Sequence, residues 1–109
     1  MAETLQSPSQ VVPASGSFSD LYTVPGATTA VESSLKCCNF GSGPAKIRIR
    51  FAVAGAADND KQWLEYDRVV AVGAAFVRTI GTTLGATDVI RVYSDTGMVA
   101  FNLFKTQVT

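Results

Sequence analysis

The sequence predicts an all-β protein: a single antiparallel β-sandwich, jelly-roll-like, with about seven strands and an extended N-terminal arm. Three observations carry this expectation. Period-two alternation of apolar and polar residues recurs along the chain, and no segment sustains a helical period. β-Branched residues are abundant, with 13 Val and 11 Thr among 109 residues. Gly, Pro and Asp turn signals separate the apolar runs at short intervals.

Residues 1–16 are read as the arm and residues 17–109 as the sandwich. The arm contains Ser7-Pro8-Ser9, Pro13 and Ser15-Gly16, and its large aliphatic side chains are Leu5, Val11 and Val12. It reads as an extended segment rather than a core strand, either a loose tail or an arm that lies on a neighbouring subunit at a sheet edge. The first sandwich strand, Phe18 to Val24, ends at the turn dipeptide Pro25-Gly26. A long strand from Thr28 to Asn39 places Val31, Ser33, Leu35 and Cys37 on one face. Gly41-Ser42-Gly43-Pro44 closes it and reads as a tight hairpin turn.

Lys46 to Val53 alternates strictly, with Ile47, Ile49, Phe51 and Val53 opposite Lys46, Arg48 and Arg50. The loop Gly55 to Asp60 has room for a short helical turn. Gln62 to Val72 follows, with Leu64, Tyr66 and Val70 on one side and Trp63, Glu65 and Asp67 on the other. Ala75 to Ile80 is a short strand between glycines. Val89 to Tyr93 and Met98 to Phe104 flank Asp95-Thr96-Gly97, a turn signal that predicts a hairpin.

Composition limits the chemistry. There is no histidine, so Ser-His-Asp and Cys-His catalysis and histidine metal ligation are closed to a single chain. Nine Lys+Arg balance nine Asp+Glu, and a nucleic-acid binder ordinarily carries a basic excess. Zero net charge also promotes association between copies. No run approaches the roughly 18 apolar residues of a membrane span, and the start, Met1 to Pro8, lacks the basic and apolar regions of a signal peptide. Synthesis in a cytosol is the expectation, with no nucleic-acid or membrane partner.

Candidate sites are few. Asp58-Asn59-Asp60 resembles the start of a calcium loop, but Lys61 follows where the pattern continues with further ligands. Gly41-Ser42-Gly43 lacks the Lys-Ser/Thr of a phosphate loop. Glu65 and Asp67 share a strand face, yet Lys61 and Arg68 lie close enough in sequence to make them surface ion pairs. No catalytic, metal or cofactor role is expected for any of these residues. The strip Lys46, Arg48, Arg50 has no aromatic residues interleaved in sequence, so it reads as a contact strip matched to acidic groups on a neighbouring strand or partner. Trp63 reads either as a partly buried core residue or as an exposed platform or anchor. Cys37 and Cys38 are adjacent and point to opposite faces of a strand, which disfavours a bridge between them. They read as two reduced small hydrophobes, with an intermolecular disulfide as the sharper alternative.

A resemblance adds to this reading. Leu21-Tyr22-Thr23-Val24-Pro25, Ser34-Leu35, Cys38-Asn39 and Ala54-Gly55-Ala56-Ala57-Asp58 begin it. Lys61-Gln62, Leu64, Tyr66-Asp67, Gly81, Thr83-Leu84 and Ala86-Thr87-Asp88-Val89 continue it, and Arg91-Val92-Tyr93 and Phe101-Asn102-Leu103-Phe104 close it. Over about residues 20 to 104 the chain resembles a family of small tailed-bacteriophage virion proteins with β-sandwich folds and no enzymatic role. The resemblance implies a structural part of a particle, as capsid decoration, neck, collar or tail component, made in the host bacterial cytoplasm. Its partners would be other virion subunits and copies of itself, and it carries over no catalytic residue. Leu5, Val11, Val12, Arg48 and Arg50 are the expected contact residues, and an intermolecular disulfide at Cys37 or Cys38 stays the alternative to two reduced thiols. The alternative is a carbohydrate- or receptor-binding module of a phage tail or fibre, which an exposed Trp63 in a cleft would favour.

Overall fold

The computed structural model describes residues 3–6, 8–79 and 83–108, and it is a β-sandwich of two antiparallel sheets. The strands are β1 (Glu3–Leu5), β2 (Ser9–Val11), β3 (Ser17–Thr23), β4 (Thr29–Asn39), β5 (Ala45–Ala52), β6 (Trp63–Val70), β7 (Ala75–Thr79), β8 (Thr83–Leu84), β9 (Val89–Ser94) and β10 (Val99–Val108). That is ten among the described residues, against about seven expected. All seven expected strands are present. The three others, β1, β2 and β8, are too short to show an alternation of their own and exist because β10 or β4 supplies their hydrogen-bonding partners.

One sheet has the order β1-β10-β4-β7, with β2 also on β10 and β8 also on β4; the other has the order β3-β9-β5-β6. Three successive pairs, β1–β2, β5–β6 and β7–β8, stay within one sheet, and every other connection passes from one sheet to the other, as in a jelly roll. This corrects two expected hairpins. The 95–97 turn joins β9 to β10, and the 40–44 segment joins β4 to β5, but each pair lies in opposite sheets. The reason is burial. Ile90 and Val92 on β9 and Val99, Phe101 and Leu103 on β10 are all buried, and both apolar faces are satisfied when the strands face each other across the core. The β5–β6 loop contains two short 3-10 turns, Val53–Gly55 and Asp60–Gln62, as its composition allowed.

The arm is extended, and it pairs with the chain's own β10: Glu3 to Leu5 opposite Val108 to Thr106, and Ser9 to Val11 opposite Leu103 to Phe101. The chain then crosses to the second sheet, where Gly16 N–H donates to Ser94 O at 2.9 Å. Among the described residues no helix is long and apolar enough to cross a membrane.

Two strands depart from simple alternation. On β4 the register with β10 shifts between Phe104 and Lys105, so that Phe104 faces Ser34 and Lys105 faces Glu32. The extra residue, Ser33, is a β-bulge, and its side chain lies outside the described residues. Leu35 and Cys37 therefore face the core as expected, but Val31 is turned outward and Glu32 inward. On β6 the register with β5 shifts twice, between Ile47 and Ile49 and between Ile49 and Arg50. Phe51 is only half-buried, and Val53 leaves the strand into the first 3-10 turn, where it is exposed.

The inward turn of Glu32 has an energetic consequence. Its carboxylate is fully buried with no hydrogen-bond partner, and burial pushes its pKa up to about 7. Lys105 lies directly across on β10, also buried, and burial lowers its pKa. Native Glu32 keeps its proton up to about pH 7, whereas the unfolded chain loses it near 4.5. Unfolding thus releases a proton between those values, so stability falls as pH rises through that window and stays lower above it. Glu32→Gln should remove this slope and stabilise the protein above neutrality by roughly 2–3 kcal/mol. Urea midpoints on both sides of the window measure it, and a wild-type midpoint that rises with pH would contradict it.

Asn39, fully buried at the end of β4, ties the 40–44 and 71–74 connections together. Its Nδ2 donates to Gly43 O and Val70 O, both at 2.9 Å, and its Oδ1 accepts from Gly41 N–H at 2.9 Å. Its backbone N–H donates to Ala74 O, and its carbonyl accepts from Gly73 N–H, both at 3.0 Å. Asn39→Ala leaves two carbonyls and one N–H without these partners and should cost roughly 2–4 kcal/mol, measurable as a lowered urea midpoint.

Candidate interaction face

The outward side of β3, β9, β5 and β6 carries an ordered layer of arginines and aromatic rings. β5 supplies it by simple alternation: Ile47 and Ile49 enter the core, so Arg48 and Arg50 point out. Neighbouring strands bring the rings. Arg91 and Tyr93 come from β9, Phe18 and Asp20 from β3, and Trp63, Tyr66 and Asp67 from β6.

The β6 bulges decide which side chains join this face. Trp63 and Tyr66 were expected on opposite faces, yet their rings meet edge-on with centroids 4.7 Å apart. Glu65 and Asp67 were expected on one face, yet they part. Asp67, in the left-handed region at φ 52°, turns outward to Arg48. Glu65 faces the side of the sandwich, where it binds Arg78 of β7 at 2.9 Å and Arg68 at 3.3 Å. The expected carboxylate pair is therefore not formed. The physical reason is the extra residue at each bulge, which reverses the sense of every side chain beyond it.

The guanidinium of Arg48 lies 4.5 Å from the Tyr66 ring centre, 4.8 Å from that of Tyr93 and 5.9 Å from that of Trp63. Its Nε donates to Asp67 Oδ1 at 2.6 Å. This hydrogen bond holds the Arg48 pKa above and the Asp67 pKa below its ordinary value. Arg50 stacks on Trp63 at 3.8 Å and on Phe18 at 5.0 Å, and donates to Asn59 O at 3.0 Å. Phe18 reaches Tyr93 at 5.2 Å and Trp63 at 6.0 Å. Arg91 donates to Asp58 Oδ1 at 2.8 Å and to Asp20 Oδ1 at 3.3 Å.

The expected contact strip is thus placed as follows. Arg48 and Arg50 lie together on this face, and Arg48 meets an acid on the neighbouring strand. The aromatic residues missing from the strip in sequence are interleaved with it in space, contributed by three other strands. Trp63 belongs to the outer layer rather than the core, and Arg50 covers its ring. The Asp58-Asn59-Asp60 run is used locally: Asp58 binds Arg91, and Asn59 caps the 3-10 turn by accepting from Lys61 N–H at 3.2 Å.

The other expected contacts lie on the opposite sheet. Val12 is exposed, and Val11 packs partly against the core. Both line a depression of about 380 Å³ with Gln10, Ala100, Phe101 and Asn102. Leu5 sits on β1, but its side chain lies outside the described residues. A second depression of similar size is lined by Phe51, Val53, Ala56, Asn59, Lys61 and Gln62, and Trp63 lines neither. Among the described residues no group of three or more Cys, Asp or Glu side chains is arranged to hold a metal ion.

A scan against protein-family models matches none, and a search of curated proteins finds no match.

The two cysteines differ sharply. Cys37 is fully buried, and its thiol pKa is pushed up to about 11, chiefly by burial. Cys38 is half-buried on the outward side of β4, between the small residues Ala75 and Ala100 on the strands beside it. Only Cys38 should react promptly with a disulfide reagent such as DTNB in the native state. Cys38→Ser should abolish that phase, while denaturant should expose both thiols of the wild type. Prompt labelling of Cys37 would contradict this assignment.

Proposed function

We propose that this protein is a non-enzymatic structural subunit of a tailed-bacteriophage particle, and that it attaches to neighbouring virion subunits through the arginine–aromatic face. The observation that carries the reading is the composition and order of that face. Trp, Tyr and Arg are the side chains that dominate binding energy at protein interfaces, and here one each of Trp and Phe, two Tyr and three Arg share one sheet surface. They are held in place before any partner arrives, by ring stacking, the Arg48–Asp67 bond and the Arg91 pairs with Asp20 and Asp58. Prior ordering reduces the entropy lost on docking. Two of the four sequence-expected contacts with described side chains, Arg48 and Arg50, lie at its centre.

The resemblance over residues 20 to 104 supplies the setting, a virion, and a jelly roll is compatible with it because such sandwiches recur in capsid proteins. A carbohydrate-stacking role for Trp63 is less well supported. The indole already carries Arg50 at 3.8 Å and meets Tyr66 edge-on, so a sugar ring would have to displace a guanidinium.

The chain should be present in purified particles of its phage by mass spectrometry. Tyr66→Ala should preserve the fold, since its ring is more than half exposed, and should weaken binding to particles lacking the protein by roughly 30-fold. Absence from purified particles would refute the virion assignment, and undiminished binding of Tyr66→Ala together with Arg50→Glu would refute the role of this face.

A further inference from the structure

Of the three arginines on the sheet face, two spend their Nε–H on a carboxylate of this chain. Arg48 Nε donates to Asp67 Oδ1 at 2.6 Å, and Arg91 Nε donates to Asp20 Oδ1 at 3.3 Å. Arg50 stands directly opposite Arg91 in the β5–β9 ladder, and it differs. Among the described residues no carboxylate forms an ion pair with it. Its Nε is buried and has no hydrogen-bond partner. A buried donor left unpaired is costly and uncommon, and here it sits on a cation that also lacks a counter-charge.

The guanidinium is otherwise held in place. Nη1 donates to Asn59 O at 3.0 Å and to Gln62 Oε1 at 3.4 Å. Trp63 stacks on it at 3.8 Å and Phe18 at 5.0 Å. Stacking covers the faces of a guanidinium and leaves its in-plane donors available. Nη2 makes no hydrogen bond among the described residues and, unlike Nε, is not covered. Nε and Nη2 form one edge of the fork, and an edge of this kind takes a carboxylate through two parallel N–H···O bonds. A carboxylate that meets Nη2 reaches Nε as well once the guanidinium turns slightly toward it.

The surroundings narrow the ligand. Asn59 and Gln62, which hold Nη1, also line the depression of about 380 Å³ together with Phe51, Val53, Ala56 and Lys61. Among the described residues the Lys61 ammonium has no ion pair either. The concavity thus joins an apolar wall to uncompensated positive charge. A phosphodiester strand draws its affinity from a row of cations, and on this face Arg48 and Arg91 are already neutralised by Asp67, Asp20 and Asp58. One free guanidinium edge beside an apolar hollow suits a single acidic side chain in a peptide. We propose that Arg50 anchors an acidic segment of the neighbouring subunit, with an Asp or Glu carboxylate on its Nε–Nη2 edge and the adjoining residues in the Phe51–Val53–Ala56 depression. This rests on the reading of the sheet face as an attachment surface and names the chemistry of what that surface takes.

The test is a ¹⁵N NMR titration of the full chain with the peptide acetyl-Leu-Glu-Leu-amide, up to about 20 mM, the range in which a single charged contact binds. The Arg50 side-chain Nε–H signal should move, together with the backbone amides of Ala56 and Lys61. The Nε–H signals of Arg48 and Arg91, already bonded to Asp67 and Asp20, should stay in place. Acetyl-Leu-Gln-Leu-amide should leave all of them unmoved. Arg50→Lys keeps the charge but lacks the edge, and should weaken the response of Ala56 and Lys61 by about fivefold while the rest of the spectrum stays like that of the wild type. An Arg50 signal unmoved across the range overturns the proposal, as does an equal response to the glutamine peptide. So does a stronger response to an oligothymidylate at matched concentration, which would assign the edge to phosphate. Absence from virions would sink the reading above and leave this measurement standing, whereas an inert Arg50 beside lost particle binding in Tyr66→Ala sinks only the carboxylate site.

Discussion

The inner faces of the two sheets meet through Leu35, Val99, Phe101 and Leu103 on one side and Ile47, Ile49, Ile90 and Val92 on the other, all fully buried. Fully burying each such side chain stabilises the fold by roughly 1.5–3 kcal/mol, so the direction in which each strand faces is fixed. Once Ile47 and Ile49 must enter the core, Arg48 and Arg50 must leave it. Once Val92 enters, Arg91 and Tyr93 must leave. The outer arginine–aromatic layer is thus the reverse side of the core, and its geometry is as well determined as the packing behind it.

What interrupts this coupling is the β-bulge. On β6 two extra residues bring Trp63, Tyr66 and Asp67 to one surface and send Glu65 to the side of the sandwich. On β4 the extra Ser33 allows Leu35 and Cys37 to face inward together with Ala30 and Glu32. The same device therefore completes the arginine–aromatic layer on one sheet and turns a carboxylate into the core of the other. The first is stabilised by stacking and by the Arg48–Asp67 bond. The second is an energetic conflict, offset by the surrounding apolar burial.

These features explain which parts were legible in the sequence. Of the alternation expected over Lys46 to Val53, the part from Lys46 to Arg50 reads directly, as does Val99 to Leu103, because no residue is inserted and one face of each run is apolar. The sandwich class, the seven longer strands and the outward Arg48 and Arg50 follow from it. The bulges at Ser33 and along Trp63 to Asp67 do not read, because the inserted residues carry no glycine or proline to mark them. The strand partners were hidden for a different reason. A turn such as Asp95-Thr96-Gly97 specifies a reversal of the chain, and a reversal serves equally to cross between sheets or to pair within one. The interleaving of Phe18 and Tyr93 with Arg48 was out of reach, since it depends on β9 lying between β3 and β5.

A sandwich can carry surfaces whose properties are set separately, one on a sheet face and one at a loop end. The jelly roll provides this separation through its anatomy. The sheet face is governed by the alternation of β5 and β9 and is rich in charge and rings. The loop end is governed by one buried amide, Asn39, and carries the exposed Phe40, Val72 and Met98 together with Asp95. A change in an outward residue of β5 leaves the Asn39 hydrogen bonds untouched, and a change at Phe40 or Met98 leaves the cation–π layer untouched. The absence of histidine and the balance of nine positive against nine negative charges then take on a structural meaning. Arg48 and Arg91 meet carboxylates on the same face, and Arg50 is held by rings and a carbonyl, so the proposed contact would draw its affinity from shape and polarizability rather than from net field.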